Sequence, residues 1–175
     1  MTYQYVREPL LPEEADKLSN ACQDLEEKLI VWTLLDTGLR ISELCNLTSD
    51  NILWQQKAIR INGKGGIYGK LTKKRVVPVS KRVFELFQHY FALKNQWFCK
   101  KRAAQLLVKR VANKAQISKP VSPHVLRHTF ATLALQKGLS LAALQKILGH
   151  DRLTTTQIYL NLTDPHIVEE YRRIW

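Results

Sequence analysis

Apolar positions along the first forty residues recur at helical spacing. The stretch "LPEEADKLSNACQ" opens with Pro12 and two acids in the first turn, as a helix start prefers. "DLEEKLIVWTLLDTG" follows, with Asp24 placed to cap and Glu27 at the third helical position. Leu25, Leu29, Trp32 and Leu35 fall on one predicted face, and Gly38 suits the residue just past the helix end. "LRISELCNL" predicts another short helix. The period then changes: "NILW", "AIRIN" and "RVVPV" are short β-branched runs that predict three strands. Between the last two lies "GKGGIYGKLTKK", a glycine- and lysine-rich loop closing a hairpin.

Helical spacing returns with "SKRVFELFQHYFALKN", capped by Ser80, and with "KKRAAQLLVKRVANKAQ". "SPHVLRHTFATLALQKG" has Ser122 at the cap, Pro123 at the first helical position and Gly138 past the end. "SLAALQKILG" repeats that arrangement with Ser140 and Gly149. "TTTQIYLN" and "DPHIVEEYRRIW" complete the pattern. The expected fold is mostly α with a small antiparallel β-sheet, an α+β architecture of about eight helices around three strands. A chain of 175 residues suits one domain with a buried core.

Charge changes this picture most. The formal net charge is +12, and the acids are unevenly placed. Ten of the fifteen lie in the first fifty residues, whereas residues 51–150 hold only Glu85 against twenty Lys and Arg. A hundred residues almost free of carboxylates point to a polyanionic partner, because each Lys or Arg placed near a phosphate releases condensed counterions. Charge alone does not separate DNA from RNA or anionic lipid, and a basic surface without a ligand is the plainer alternative. The most apolar stretch, Leu29 to Leu35 with Thr33 inside it, is too short to span a bilayer, and the N-terminus has no signal-peptide pattern. Cys22, Cys45 and Cys99 have neither CxxC spacing nor an even count, so they read as thiols of a reducing compartment. A soluble, cytoplasmic chain is expected.

Candidate chemistry lies in four places. His124 and Arg127 sit three apart at a helix start, where amides, helix dipole and guanidinium together favour an anion. His128 is four residues from His124, and a core histidine bonded to backbone is its simpler reading. Arg40 follows a glycine turn and has Glu43 three residues on, a spacing that also suits a plain surface ion pair. His150 follows the helix that ends at Gly149. The fourth place is the lysine loop. Tyr159, nine residues after His150, reads by itself as a half-buried ring on a short amphipathic helix.

"TGLRISEL", "GKGG", "HVLRHTFAT" and "LGHDRLTTTQIYL", in that order and at these distances, resemble the successive signatures of the tyrosine recombinase, or phage integrase, family. The likeness runs from about Leu10 to Asn161 and is closest to the Xer and integrase type. It implies that Tyr159 is a nucleophile on a DNA phosphodiester, forming a 3′-phosphotyrosyl intermediate that conserves the bond energy. It implies that Arg40 and Arg127 clamp the non-bridging oxygens and that His150 donates to one of them. Catalysis of this kind rests on positioning and electrostatics and requires neither metal nor ATP; no metal or cofactor is expected. A phenol of ordinary pKa near 10 needs a base or a positive field to ionise, and His124 is the candidate base. The resemblance assigns protonation of the leaving 5′-oxygen to Lys64.

Two departures qualify the likeness. In the family pattern the hairpin lysine is followed quickly by a basic residue and then R-x-V-P. Here "GIYGKLTK" lengthens the loop before "KRVVPV", so Lys70 and Lys73 compete with Lys64. Most members also carry a separate N-terminal clamp domain, and the sequence starts only a few residues before the catalytic region. Residues 1–175 are therefore expected to be one catalytic domain without the N-terminal core-binding domain, with a core at 10–161 and a tail helix at 162–175. It is either an excised domain or a short, invertase-like member. The expected function is site-specific recombination of double-stranded DNA by a homotetramer on two sites, monomeric without DNA and associated with the nucleoid. The alternatives are a type IB topoisomerase-like enzyme and a basic DNA-binding module without catalysis. The tail "DPHIVEEYRRIW" has an apolar face formed by Ile167, Val168, Tyr171, Ile174 and Trp175, which is expected to dock in cis or in trans.

Overall fold

A computed structural model of the chain describes residues 8–62, 74–94 and 99–149. Within them the helices are α1 (Pro12–Asn20), α2 (Leu25–Thr37), α3 (Ile41–Cys45), α4 (Lys81–Leu93), α5 (Lys101–Lys114), α6 (Pro123–Gln136) and α7 (Leu141–Leu148). The strands are β1 (Ile52–Leu53), β2 (Ala58–Asn62) and β3 (Lys74–Pro78), paired antiparallel in the order β1-β2-β3. Seven helices with one three-stranded sheet is the expected mostly helical α+β architecture. Two expected helices, "TTTQIYLN" and the tail over 162–175, lie outside the described residues. So do Lys64, Lys70, Lys73, His150 and Tyr159.

The helix starts form where the side chains allow. Asp24, Ser80, Ser122 and Ser140 each accept a hydrogen bond from an amide of the first turn. Gly38 and Gly149 end α2 and α7 in the left-handed conformation. Two expectations need correction. "NILW" is not a four-residue strand: only Ile52 and Leu53 pair, with Ile59 and Ala58, and Trp54 opens a 3₁₀ turn whose ring packs edge-on against Phe84 and Phe91. Aromatic packing there outweighs the strand preference of the ring. Nor is α2 an amphipathic helix with one buried stripe. It is buried around most of its circumference, because α1, α3, α4, α5 and α6 all pack on it, so its inward positions include Thr33 and Glu27 as well as leucines.

Glu27, in the first turn of α2, shows how such a helix tolerates a buried acid. Its side chain is 1% exposed. One carboxylate oxygen accepts from the Gln23 amide at 2.9 Å, the other from Lys114 at 2.8 Å and Arg110 at 3.1 Å. Burial pushes its pKa up, but the Gln23 amide and the α5 cations outweigh that and hold the carboxyl below the usual range. The bonds tie the central helix to the basic helix α5.

The sheet alternates cleanly. Ile59, Ile61 and Val77 point to the core, while Arg60, Asn62, Lys74 and Val76 face outward. In β3 this alternation puts Arg75, opposite Ile61, on the inner side.

Candidate active site

The described part of the site is built where three chain segments end. Segment one is the turn from Gly38 to Arg40, between α2 and α3. Gly38 has φ +61°, and a Cβ there would collide with the Phe130 ring of α6 and come within 2.9 Å of Leu148. Glycine is required on both counts, conformation and space. Arg40 follows and immediately precedes α3. Its amide donates to Glu43 Oε2 at 2.8 Å, and its Nη1 to Glu43 Oε1 at 3.1 Å. The surface pair foreseen from the spacing exists, and the Arg40 side chain is 43% exposed.

Segment two is the start of α6. His124 is exposed in the first turn and His128 is half-buried one turn further on. Arg127 is buried at 6% exposure. Its Nη1 donates to Gly38 O at 2.6 Å and its Nη2 to Leu148 O at 2.8 Å. Both acceptors belong to helix C-termini, where carbonyls lack intrahelical partners and carry partial negative charge. A planar guanidinium with five donors is the side chain suited to bridging two such carbonyls. It thereby holds the Arg40 turn against the end of α7.

Segment three is that end of α7. Leu148 gives its carbonyl to Arg127, and Ile147 gives its carbonyl to Arg75 Nε at 2.7 Å. Arg75 also donates from Nη1 and Nη2 to the two oxygens of Glu43, each at 2.8 Å. Glu43 is thus shared between Arg40 and Arg75. Burial raises its pKa, but the bonds from Arg75 and the Arg40 amide, with the two positive charges, prevail and keep it below the ordinary carboxylate range.

The structure therefore brings the Arg40 turn and Arg127 together and puts His124 on the same helix as Arg127. Arg75, the arginine of the R-x-V-P run in "KRVVPV", was not among the expected site residues. Two signals could have found it: its odd place in the alternation of β3, and a glutamate at 43 with more acceptor capacity than Arg40 fills.

The model of the Phage integrase family matches residues 8–166. The chain belongs to that family. Tyrosine recombinase XerA of Pyrococcus horikoshii is 33% identical over 174 residues, covering 91% of this chain and 59% of the relative. A crystal structure of XerA recombinase superposes with a TM-score of 0.81 at 31% identity, covering 99% of this chain and 65% of that one. XerH site-specific recombinase bound to palindromic difH substrate gives a TM-score of 0.74 at 26% identity, covering 97% and 54%. The chain thus spans about three-fifths of the length of its XerA relative. As an integrase-family member its Arg40 turn, α6 start and α7 end are the elements on which the motifs of the sequence lie. No helix among the described residues is long and apolar enough to cross a membrane.

Proposed function

We propose that this chain is the catalytic domain of a site-specific DNA recombinase that cuts and rejoins double-stranded DNA through a covalent 3′-phosphotyrosine. The observation carrying this reading is the pair of hydrogen bonds from Arg127 to Gly38 O and Leu148 O, which gathers three of the chain segments that bear the ordered family motifs. Tyr159 Oη attacks the scissile phosphorus, the P–O5′ bond breaks, and Lys64 gives the departing 5′-oxygen its proton. Arg40 and Arg127 stabilise the charge that builds on the non-bridging oxygens, His150 adds a donor, and His124 assists loss of the phenolic proton. Attack by the 5′-hydroxyl of an exchanged strand on the phosphotyrosine reverses the step and releases Tyr159. The bond energy is held in the intermediate, so the cycle uses neither ATP nor metal.

Double-stranded DNA as partner is supported by the basic surface. Lys101, Arg102, Lys109 and Arg110 are all exposed on α5, and Arg60 and Lys74 on the outer face of the sheet. Exchange between two duplexes calls for four protomers on two sites, with the tail 162–175 as the proposed link between neighbours and the nucleoid as the place of action. The test is Tyr159→Phe on nicked suicide duplexes, run beside supercoiled plasmid. Wild type should form a covalent protein–DNA adduct, and the variant none while still binding DNA. Adducts from Tyr159→Phe would falsify the nucleophile assignment. Steady plasmid relaxation without strand exchange would favour a topoisomerase instead, and shifted bands without any adduct a binding module.

A further inference from the structure

We infer that Arg75 is a positioning residue for the reaction: it neutralises Glu43 so that the charge of Arg40 stays available to the scissile phosphate, and it anchors the end of α7 beside it. This rests on the reading of Arg40 as a phosphate clamp.

Arg75 and Glu43 form the better-buried half of a three-residue cluster. Their side chains are 10% and 12% exposed, against 43% for Arg40. Arg75 holds Glu43 through two parallel bonds of 2.8 Å, the strongest geometry available to a guanidinium and a carboxylate. Arg40 takes a single, longer side-chain bond of 3.1 Å to the same acid. Arg75, Glu43 and Arg40 together carry one net positive charge. Without Arg75 the cluster would be neutral and Arg40 would be the nearest cation left for a half-buried carboxylate. The acid would then draw the Arg40 guanidinium into its own bidentate pair and compete with the phosphate for it.

Arg75 has a second attachment. Its Nε donates to Ile147 O at 2.7 Å, and a Cβ on Gly149 would lie 3.0 Å from Arg75 Cδ. The side chain therefore packs against the backbone at Gly149, the residue that precedes His150 in sequence, and its own strand β3 follows the lysine-rich stretch in sequence. One side chain thus touches the Arg40 cluster and the end of α7 from the base of the hairpin. Displacement of reacting groups by about 1 Å can cost on the order of 100-fold in rate.

The test compares wild type, Arg75→Gln and the double variant Glu43→Gln/Arg75→Gln. Tyr159 adducts are timed on a nicked duplex carrying a site selected by the wild-type chain from a random double-stranded library. Arg75→Gln should slow adduct formation on the order of 100-fold with DNA binding little changed. The double variant restores the single net positive charge and leaves two amides able to pair, so it should come back to within about tenfold of wild type. A purely structural Arg75 predicts the reverse, because the double variant has lost more bonds. Arg75→Gln cleaving at the wild-type rate, or a folded double variant slower than that tenfold limit, overturns the inference. If Arg75→Gln does not fold, the rate of the double variant decides by the same limit. A second readout keeps this separate from the recombinase reading: titration of the Arg40 Nε–H resonance with inorganic phosphate. Arg75→Gln should bind phosphate about tenfold more weakly than wild type or the double variant. That order without any wild-type adduct sinks the reading and keeps the inference; adducts with equal phosphate binding in all three sink the inference alone.

Discussion

Arg127 and Gly38 lie 89 positions apart, and a buried 2.6 Å hydrogen bond joins the guanidinium of the one to the carbonyl of the other. The same guanidinium reaches Leu148 O at 2.8 Å, so one side chain closes the C-terminal ends of α2 and α7. Arg127→Ala should therefore show two separable losses. Stability should fall by about 3 kcal/mol, as buried carbonyls lose their donor. Adduct formation should fall by about 10²- to 10³-fold at saturating DNA, as expected for loss of an oxyanion donor. Denaturant unfolding measures the first and single-turnover cleavage the second. A variant as stable as wild type would remove Arg127 from the packing described above.

Gly38→Ala tests the turn itself. The left-handed φ costs an alanine about 1 kcal/mol. The collision with the Phe130 ring adds to it, so a total of about 2–3 kcal/mol is expected. The urea midpoint should drop with an unchanged slope. Cleavage should fall as well, because this turn carries Arg40 two residues after Gly38.

The lysine assignment is separable by chemistry. If Lys64 protonates the leaving 5′-oxygen, Lys64→Ala should be slow on ordinary DNA. It should recover on a substrate whose bridging 5′-oxygen is sulfur, since a thiolate leaves without a proton. Equal loss on both substrates moves the role to Lys70 or Lys73, whose alanine variants are then compared on the same pair.

Acid should weaken the fold through Glu27 and Glu43. Both carboxyls sit below their ordinary pKa in the folded chain. The stability they contribute is complete above the unfolded value of about 4.3 and is lost as pH falls through the folded values. Glu27→Gln should cost about 2 kcal/mol at neutral pH by weakening the bonds to Lys114 and Arg110. It should also flatten the loss of stability below about pH 4. Chemical denaturation at a series of pH values tests this; a variant that follows the wild-type curve in parallel contradicts it.

Deleting residues from Asp164 onward tests the proposed assembly. Binding to a single site should survive, while complexes that hold two DNA sites, and recombination between them, should disappear. Recombination at the full rate by the shortened chain would reduce the tail to a local cap.

Much of this was legible along the chain because it is local. Helix starts at Ser80, Ser122 and Ser140, the stop at Gly38 and the alternation in β2 depend on backbone geometry and on neighbours a few residues away. The motif order and the Arg40–Glu43 pair are also linear facts. Local sequence was therefore enough for most of the described elements, the basic character and the family. Tertiary structure decided the rest. Only packing on all sides could turn the stripe of α2 into a buried helix with an acid inside it, since exposure depends on what surrounds an element and not on its own period. Only the approach of β3 to the end of α7 could make Arg75 the partner of Glu43, 32 positions away. Hydrogen bonds from guanidiniums to distant carbonyls leave no trace in sequence spacing, because they are fixed by where two helices end in space.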